Sequence, residues 1–301
     1  MKIEYRERYI ENLYACLHTL SAKCDFCDET KADGEEIVKT SNSKKVRGQD
    51  RQEHYMMLNP NYAVGKHTMI KTYSEFEKVL GEALERMEVI NFRITRADLC
   101  FNSDDLRDYE LFKKLNRLLL CCIASAHDIK NCYKTSDLWT DKSLSVAIKS
   151  DTIEAENYDK SQENPDVETK NRLELRSKSM KVDLKTEFTC KWFKRLDKAL
   201  EHFEVVQERY NKELYKLWSE DEGRPKKDKN YLSLTAFLLA YKDCIFTRSQ
   251  LVSLLEMIGV ENPERKAKNF KDRHTIEFYS KTDLKVIIDG IKKAAACYFS
   301  N

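Results

Sequence analysis

The side chains best placed to do chemistry fall in residues 143–180, SLSVAIKSDTIEAENYDKSQENPDVETKNRLELRSKSM. In one run Glu154, Glu156 and Tyr158 alternate with Ile153, Ala155 and Asn157; in the next Arg172, Glu174, Arg176 and Lys178 alternate with Leu173 and Leu175. Period-two alternation puts each set on one face of a strand. An earlier run, VINFRITRADLCFN, turns Ala97, Leu99 and Phe101 one way and Arg96, Asp98, Cys100 and Asn102 the other. If the three strands are neighbours, carboxylates converge beside a tyrosine hydroxyl. Oxygen ligands of that kind suit a hard divalent cation, Mg²⁺ or Mn²⁺. A metal beside a phenol suits phosphoryl transfer, in which the phenolate attacks phosphorus and forms a covalent link. Arg96, Arg172, Arg176 and Lys160 would hold flanking phosphates. The competing explanation is plain: half-exposed antiparallel sheets present charged residues to water, and tyrosine is common in strands.

The surrounding pattern supplies the elements that would carry these strands. Residues 1–20 suit a strand or an amphipathic helix, and the polar stretch 28–53 suits a surface loop or weak hairpin. Ser74 and Glu77 have capping-box spacing and open a helix to Arg86. A second helix is expected over about 105–124, a short strand over Tyr133–Leu138, and a turn at Ser150–Asp151. Adjacent hairpin strands imply an antiparallel sheet, hence an α+β fold with helices on one face. After Val182 the pattern turns helical, which divides the chain into regions 1–183 and 184–301. Within the second, residues 237–258 read as helix, turn, helix, with Arg248, Ser249 and Gln250 at the N-terminus of the second helix. Recognition helices reach base edges from that position, so Arg248 and Gln250 are candidate DNA contacts. A packed helical bundle is the alternative. The basic stretch 261–274 would follow phosphate as a wing does.

Composition limits the function classes. A net charge of +2 with 35% charged residues excludes a polycation, so any nucleic-acid site is a local patch. The charged start MKIEYRERYIENLY has no signal-peptide pattern, and no stretch is apolar enough to span a membrane. The ten cysteines then point to reduced thiols in a cytoplasmic protein. Cys24 and Cys27 form a lone C-x-x-C without a matching second pair, so free thiols are expected there over a metal or redox pair.

Arg96-Ala97-Asp98, the segment Tyr158 to Glu163, and Arg172-Leu173-Glu174 resemble three motifs of rolling-circle replication initiators: an R-x-D strand, a Y-x-K-x-x-E segment and an R-x-E strand. The group they resemble is the Rep_trans type of plasmids and conjugative elements, related to filamentous-phage initiators. The resemblance implies a nicking domain over 1–183 in which Tyr158 attacks one strand at the origin. It implies a 5′-phosphotyrosine link and a free 3′ hydroxyl. It also implies Asp98, Glu174 and Glu163 as ligands of Mg²⁺ or Mn²⁺, and Lys160 and Arg96 as groups that contact phosphate or polarise the site. Origin DNA, single-stranded or extruded as a cruciform, is the implied partner; host helicase or polymerase and a second copy of the chain are further candidates. The sequence departs from the pattern at Asn102, where an aspartate is usual, and at Arg176, where a second acid is common; it also has no histidine–hydrophobe–histidine pair. A relative that binds DNA without cutting it is the alternative.

Overall fold

The computed structural model describes residues 11–45, 52–65, 68–103, 106–129, 145–160, 171–222, 233–274 and 276–301. Seven strands form one sheet: β1 (Tyr14–Cys24), β2 (Val38–Lys45), β3 (Gln52–Leu58), β4 (Arg93–Ser103), β5 (Ser145–Lys149), β6 (Ile153–Asp159) and β7 (Asn171–Lys178). Their order is β2-β3-β1-β4-β7-β6-β5, and every pairing is antiparallel. The fold is thus α+β, an antiparallel sheet with helices, as the alternation predicts.

Cross-strand register explains the two faces. Leu17, Leu99, Leu175, Ala155 and Ile148 stand opposite one another across five strands, and all are buried. That row faces the Leu106–Ala126 helix, which packs on β5, β6 and β7. The Trp192–Glu201 and Phe203–Glu222 helices pack on that helix in turn, and the Lys281–Tyr298 helix packs on β1. The last helix starts at a capping box of Ser280 and Asp283 and buries Leu284, Ile287, Ile288, Ile291, Ala295 and Tyr298, the three-and-four spacing of an amphipathic stripe. A single apolar core runs from the sheet into the 184–301 region.

Several local expectations change. The polar stretch 28–53 contains an unexpected short helix, Glu29–Gly34, and then β2, whose antiparallel pairing with β3 is the hairpin alternative. Thr72, not Ser74, caps the Tyr73–Arg86 helix by accepting from the Glu75 N–H at 3.3 Å; the Ser74 hydroxyl donates to the Asn301 carbonyl. The basic stretch forms a helix, Pro263–His274, rather than a wing, because Ala267 and Phe270 give it a face to bury. The expected Tyr133–Leu138 strand and Glu163 lie outside the described residues.

Candidate functional site

The polar face consists of three cross-strand rows. One joins Asn102, Arg172 and Tyr158; the next joins Cys16, Cys100, Glu174 and Glu156; the third joins Asp98, Arg176 and Glu154. Residues 96–102, 154–158 and 172–178, far apart in the chain, meet because β4, β7 and β6 are consecutive in the sheet.

Glu174 sits at the centre and is 2% exposed. Its Oε1 accepts from the Tyr158 hydroxyl at 2.7 Å and from the Cys100 thiol at 3.4 Å, with Arg172 Nη1 at 3.8 Å. Its Oε2 accepts from Arg176 Nε at 3.0 Å. Arg176 also reaches Glu154 at 2.5 Å, Glu156 at 2.9 Å and Asp98 at 3.6 Å. Asp98 is clasped by Arg96 through two bonds of 3.0 Å, a bidentate pair. Lys178 holds the other oxygen of Glu154 at 2.7 Å. Arg172, with no exposed surface, donates through Nε to Asn102 Oδ1 at 2.8 Å, while its Nη1 has no hydrogen-bond partner. The neutral amide at 102, where a carboxylate is usual in the resembling group, leaves this buried cation without a full counter-charge of its own. Lys160 lies with its ammonium 5.7 Å from the centre of the Tyr158 ring, within cation–π range.

The electrostatics follow from burial and these pairs. Burial pushes the Glu174 carboxyl up, but Arg176, His18 and Arg172 outweigh it and hold the group at about 2. Burial lifts Asp98 above the ordinary aspartate range despite its pair with Arg96. Burial raises the Tyr158 phenol, and the Glu174 charge raises it further. Tyr158 therefore rests as a neutral phenol that donates to a carboxylate.

Groups able to hold a divalent ion are present. Of the expected ligands, Glu163 lies outside the described residues, and Asp98 binds Arg96 through both oxygens with Arg176 nearby, which leaves it few lone pairs for a hard octahedral ion. Among the described residues, the set whose ligand atoms lie within 4.8 Å of one another is His18, Cys100 and Glu174. A thiol is a poor ligand for Mg²⁺, so these residues do not fit the expected Mg²⁺ site. His18 escapes sequence reading because residues 1–20 suit a strand or an amphipathic helix, which leaves its face unassigned. In β1 it follows core-facing Leu17 and shares the face of Cys16, and the register shift between Leu17 and Leu20 sets His18 and Thr19 together opposite Asp98. Cys100 is legible as an outward residue, but its role as a neighbour of Glu174 depends on the strand order.

The remaining candidates divide. Arg172 and Arg176 face the site, but Arg172 is enclosed and Arg176 is committed to carboxylates. Arg248 is exposed at the start of the Arg248–Met257 helix. Gln250 is buried: its Oε1 accepts from the Phe246 N–H at 2.7 Å and its Nε2 donates to the Cys244 carbonyl at 2.8 Å. Its amide thus closes the turn before its own helix. Cys24 and Cys27 are free, buried thiols; burial pushes Cys24 up to about 11, the mark of an inert thiol.

No protein-family model matches the chain, and no curated protein matches it. Among solved structures it is similar to a rolling circle replication initiator protein from Geobacillus stearothermophilus, with 13% identity over 82% of this chain and 97% of that chain, at a TM-score of 0.29. A superposition at that score is too loose to carry a functional conclusion. No helix among the described residues is long and apolar enough to cross a membrane.

Proposed function

We propose that the chain initiates rolling-circle replication or transfer of a plasmid or mobile element by nicking one DNA strand at the origin through Tyr158. The observation that carries this reading is the 2.7 Å bond from the Tyr158 hydroxyl to Glu174. It joins the Y-x-K and R-x-E motifs on adjacent strands, with the R-x-D strand on the far side of Glu174. Three motifs that resemble one family's series are therefore neighbours on one face.

In the proposed step Glu174, which accepts the hydrogen bond, orients the Tyr158 hydroxyl; the oxygen attacks phosphorus and its proton leaves to solvent. The bond from phosphorus to the 3′ oxygen breaks, and that oxygen takes a proton from solvent to become the free 3′ hydroxyl. Reversal by an incoming 3′ hydroxyl rejoins the strand. Lys160, beside the Tyr158 ring, and Arg96, at the edge of the carboxylate cluster, are the cations for the scissile and flanking phosphates. Residues 1–183 act as the nicking domain, and 184–301 contributes DNA contacts with Arg248 among them. Origin DNA in the cytoplasm is the partner.

A second reading has a specific observation in its favour. Tyr158 is 6% exposed and Arg176 neutralises the acids around it, which suits a DNA-binding regulator that does not cut. Supercoiled plasmid bearing the cognate origin, incubated with the protein and a series of divalent cations, separates the two. Nicking with covalent attachment of protein to the 5′ end is expected, and both vanish in Tyr158→Phe. Salt-sensitive origin binding with no cleavage under any cation would overturn the enzyme in favour of the regulator. Nicking that survives in Tyr158→Phe would remove the tyrosine from its role.

A further inference from the structure

We infer that His18, Cys100 and Glu174 form a binding site for a thiophilic divalent cation of the Zn²⁺ or Co²⁺ class, on the polar face beside Tyr158. The inference concerns binding and stands whether or not the chain cuts DNA.

Three observations support it. The ligand atoms lie within 4.8 Å of one another, close enough to surround a single ion. They come from β1, β4 and β7, which are consecutive in the sheet, so rigid hydrogen-bonded backbone fixes their spacing. The set is one imidazole, one thiol and one carboxylate, the mixed donors that select borderline-soft ions over Mg²⁺. Alternation after Cys16 and core-facing Leu17 puts His18 on this face, where it is half-buried beside the enclosed Cys100 and Glu174. The Thr19 hydroxyl lies 3.0 Å from His18 Nδ1, a second contact of the kind that orients ligating imidazoles. Three protein ligands leave a fourth position open, the arrangement of catalytic rather than structural zinc.

The charges and protons balance. In the metal-free chain burial keeps the Cys100 proton on, and the thiol donates to Glu174. Binding displaces that proton to solvent, so a divalent ion meets one thiolate and one carboxylate. The exchange of one proton for a divalent ion adds one positive charge beside Arg172, whose Nη1 lies 3.8 Å from Glu174, and an anion such as hydroxide or phosphate at the open fourth position offsets it.

Co²⁺ titration of the full chain, stripped of metal under reducing conditions, tests this. A thiolate-to-Co²⁺ charge-transfer band in the near ultraviolet is expected, retained against about a thousandfold excess of Mg²⁺. Cys100→Ser should abolish the band, and His18→Ala, at a half-buried position that can change without emptying the core, should weaken Co²⁺ affinity by about 100-fold or more. Circular dichroism of both variants establishes that the fold persists. Cys16→Ser and the double variant Cys24→Ser, Cys27→Ser should keep the band. The inference is overturned by a wild type without the band, by displacement with Mg²⁺, by a band that survives in folded Cys100→Ser, or by one lost in the double variant. Origin nicking with Mg²⁺ by a chain that binds no Co²⁺ would sink this site and leave the nicking proposal intact; Co²⁺ binding without nicking does the reverse.

Discussion

The sheet face and the helical pair before residue 258 begin from equally suggestive sequence and end differently. On the sheet, polar residues placed by alternation do converge: Asp98, Glu174, Arg172, Arg176 and Tyr158 occupy neighbouring rows on three adjacent strands. At the helical pair the residue best placed to read a base, Gln250, is turned inward and is 3% exposed. The difference is geometric. A strand has two faces and one parity, so one buried residue assigns all the others. The first turn of a helix points side chains in several directions, and a polar one there serves equally well to satisfy the fold's own backbone groups. Polar composition at a helix start is therefore weaker evidence for a ligand than polar parity along a strand.

The largest effect that would test the contrast is at Arg176. Its guanidinium contacts Glu174, Glu154, Glu156 and Asp98, and Glu174 and Asp98 are almost wholly buried. Arg176→Met should cost about 3–5 kcal/mol in urea unfolding at neutral pH, because it leaves charges buried without a partner. The sign with pH follows from Glu174. Its folded value of about 2 lies below the ordinary 4.5, so its stabilisation is complete above 4.5 and is lost as pH falls toward 2. In the variant the carboxyls take up protons more readily, so the deficit should shrink in mild acid. An equal deficit at both pH values would mean that packing, not charge, holds this face together.

Next in size is the other side of the comparison. Gln250→Ala removes two buried bonds and strands the Phe246 N–H and the Cys244 carbonyl, for a loss of about 2–3 kcal/mol. Arg248→Ala, at an exposed position, should stay within about 0.5 kcal/mol, and should weaken origin binding if the helix start meets phosphate. A stable Gln250→Ala that binds origin DNA poorly would restore the recognition-helix expectation and erase the contrast.

These two sites also mark how far sequence could carry. The parity of β4, β6 and β7, and with it Asp98, Glu174 and Tyr158 on one face, is legible because Leu99, Leu175 and Ala155 demand burial. The strand order is a product of packing, and it alone decides that Glu174 has Cys100 on one side and Glu156 on the other. His18 is illegible because residues 1–20 suit a strand or a helix, and only the strand's pairing with β4 assigns its face. Carboxylates that look like metal ligands in a linear pattern prove to be salted with arginine, since the R-x-D and R-x-E spacing that marks the motifs also puts each acid two residues from a cation on the same face. The Pro263–His274 helix was hidden by its charge, its two buried residues too few to announce an amphipathic stripe.

The smallest effect probes the seam between the two regions. Lys114, on the helix that covers the sheet, donates to the Lys242 carbonyl at 3.0 Å and the Glu277 carbonyl at 3.3 Å, and so ties that helix to the turn that Gln250 closes. Burial lowers its ammonium to about 8 from 10.5, against the pull of Asp243. For a base lowered by folding, the unfolded chain holds more protons between those values, so Lys114 by itself makes stability rise as pH goes from about 8 to about 10. The thiols of Cys24, Cys27, Cys100, Cys122 and Cys244, raised by burial from the ordinary 9, pull the other way over the same range, as do the raised phenols of Tyr158, Tyr279 and Tyr298, because the unfolded chain loses those protons first. Lys114→Met should therefore make the fall with pH steeper, by about 1 kcal/mol or less. Urea midpoints for both proteins at the two pH values check it. An equal fall in the two proteins would remove Lys114 from the seam's response to pH.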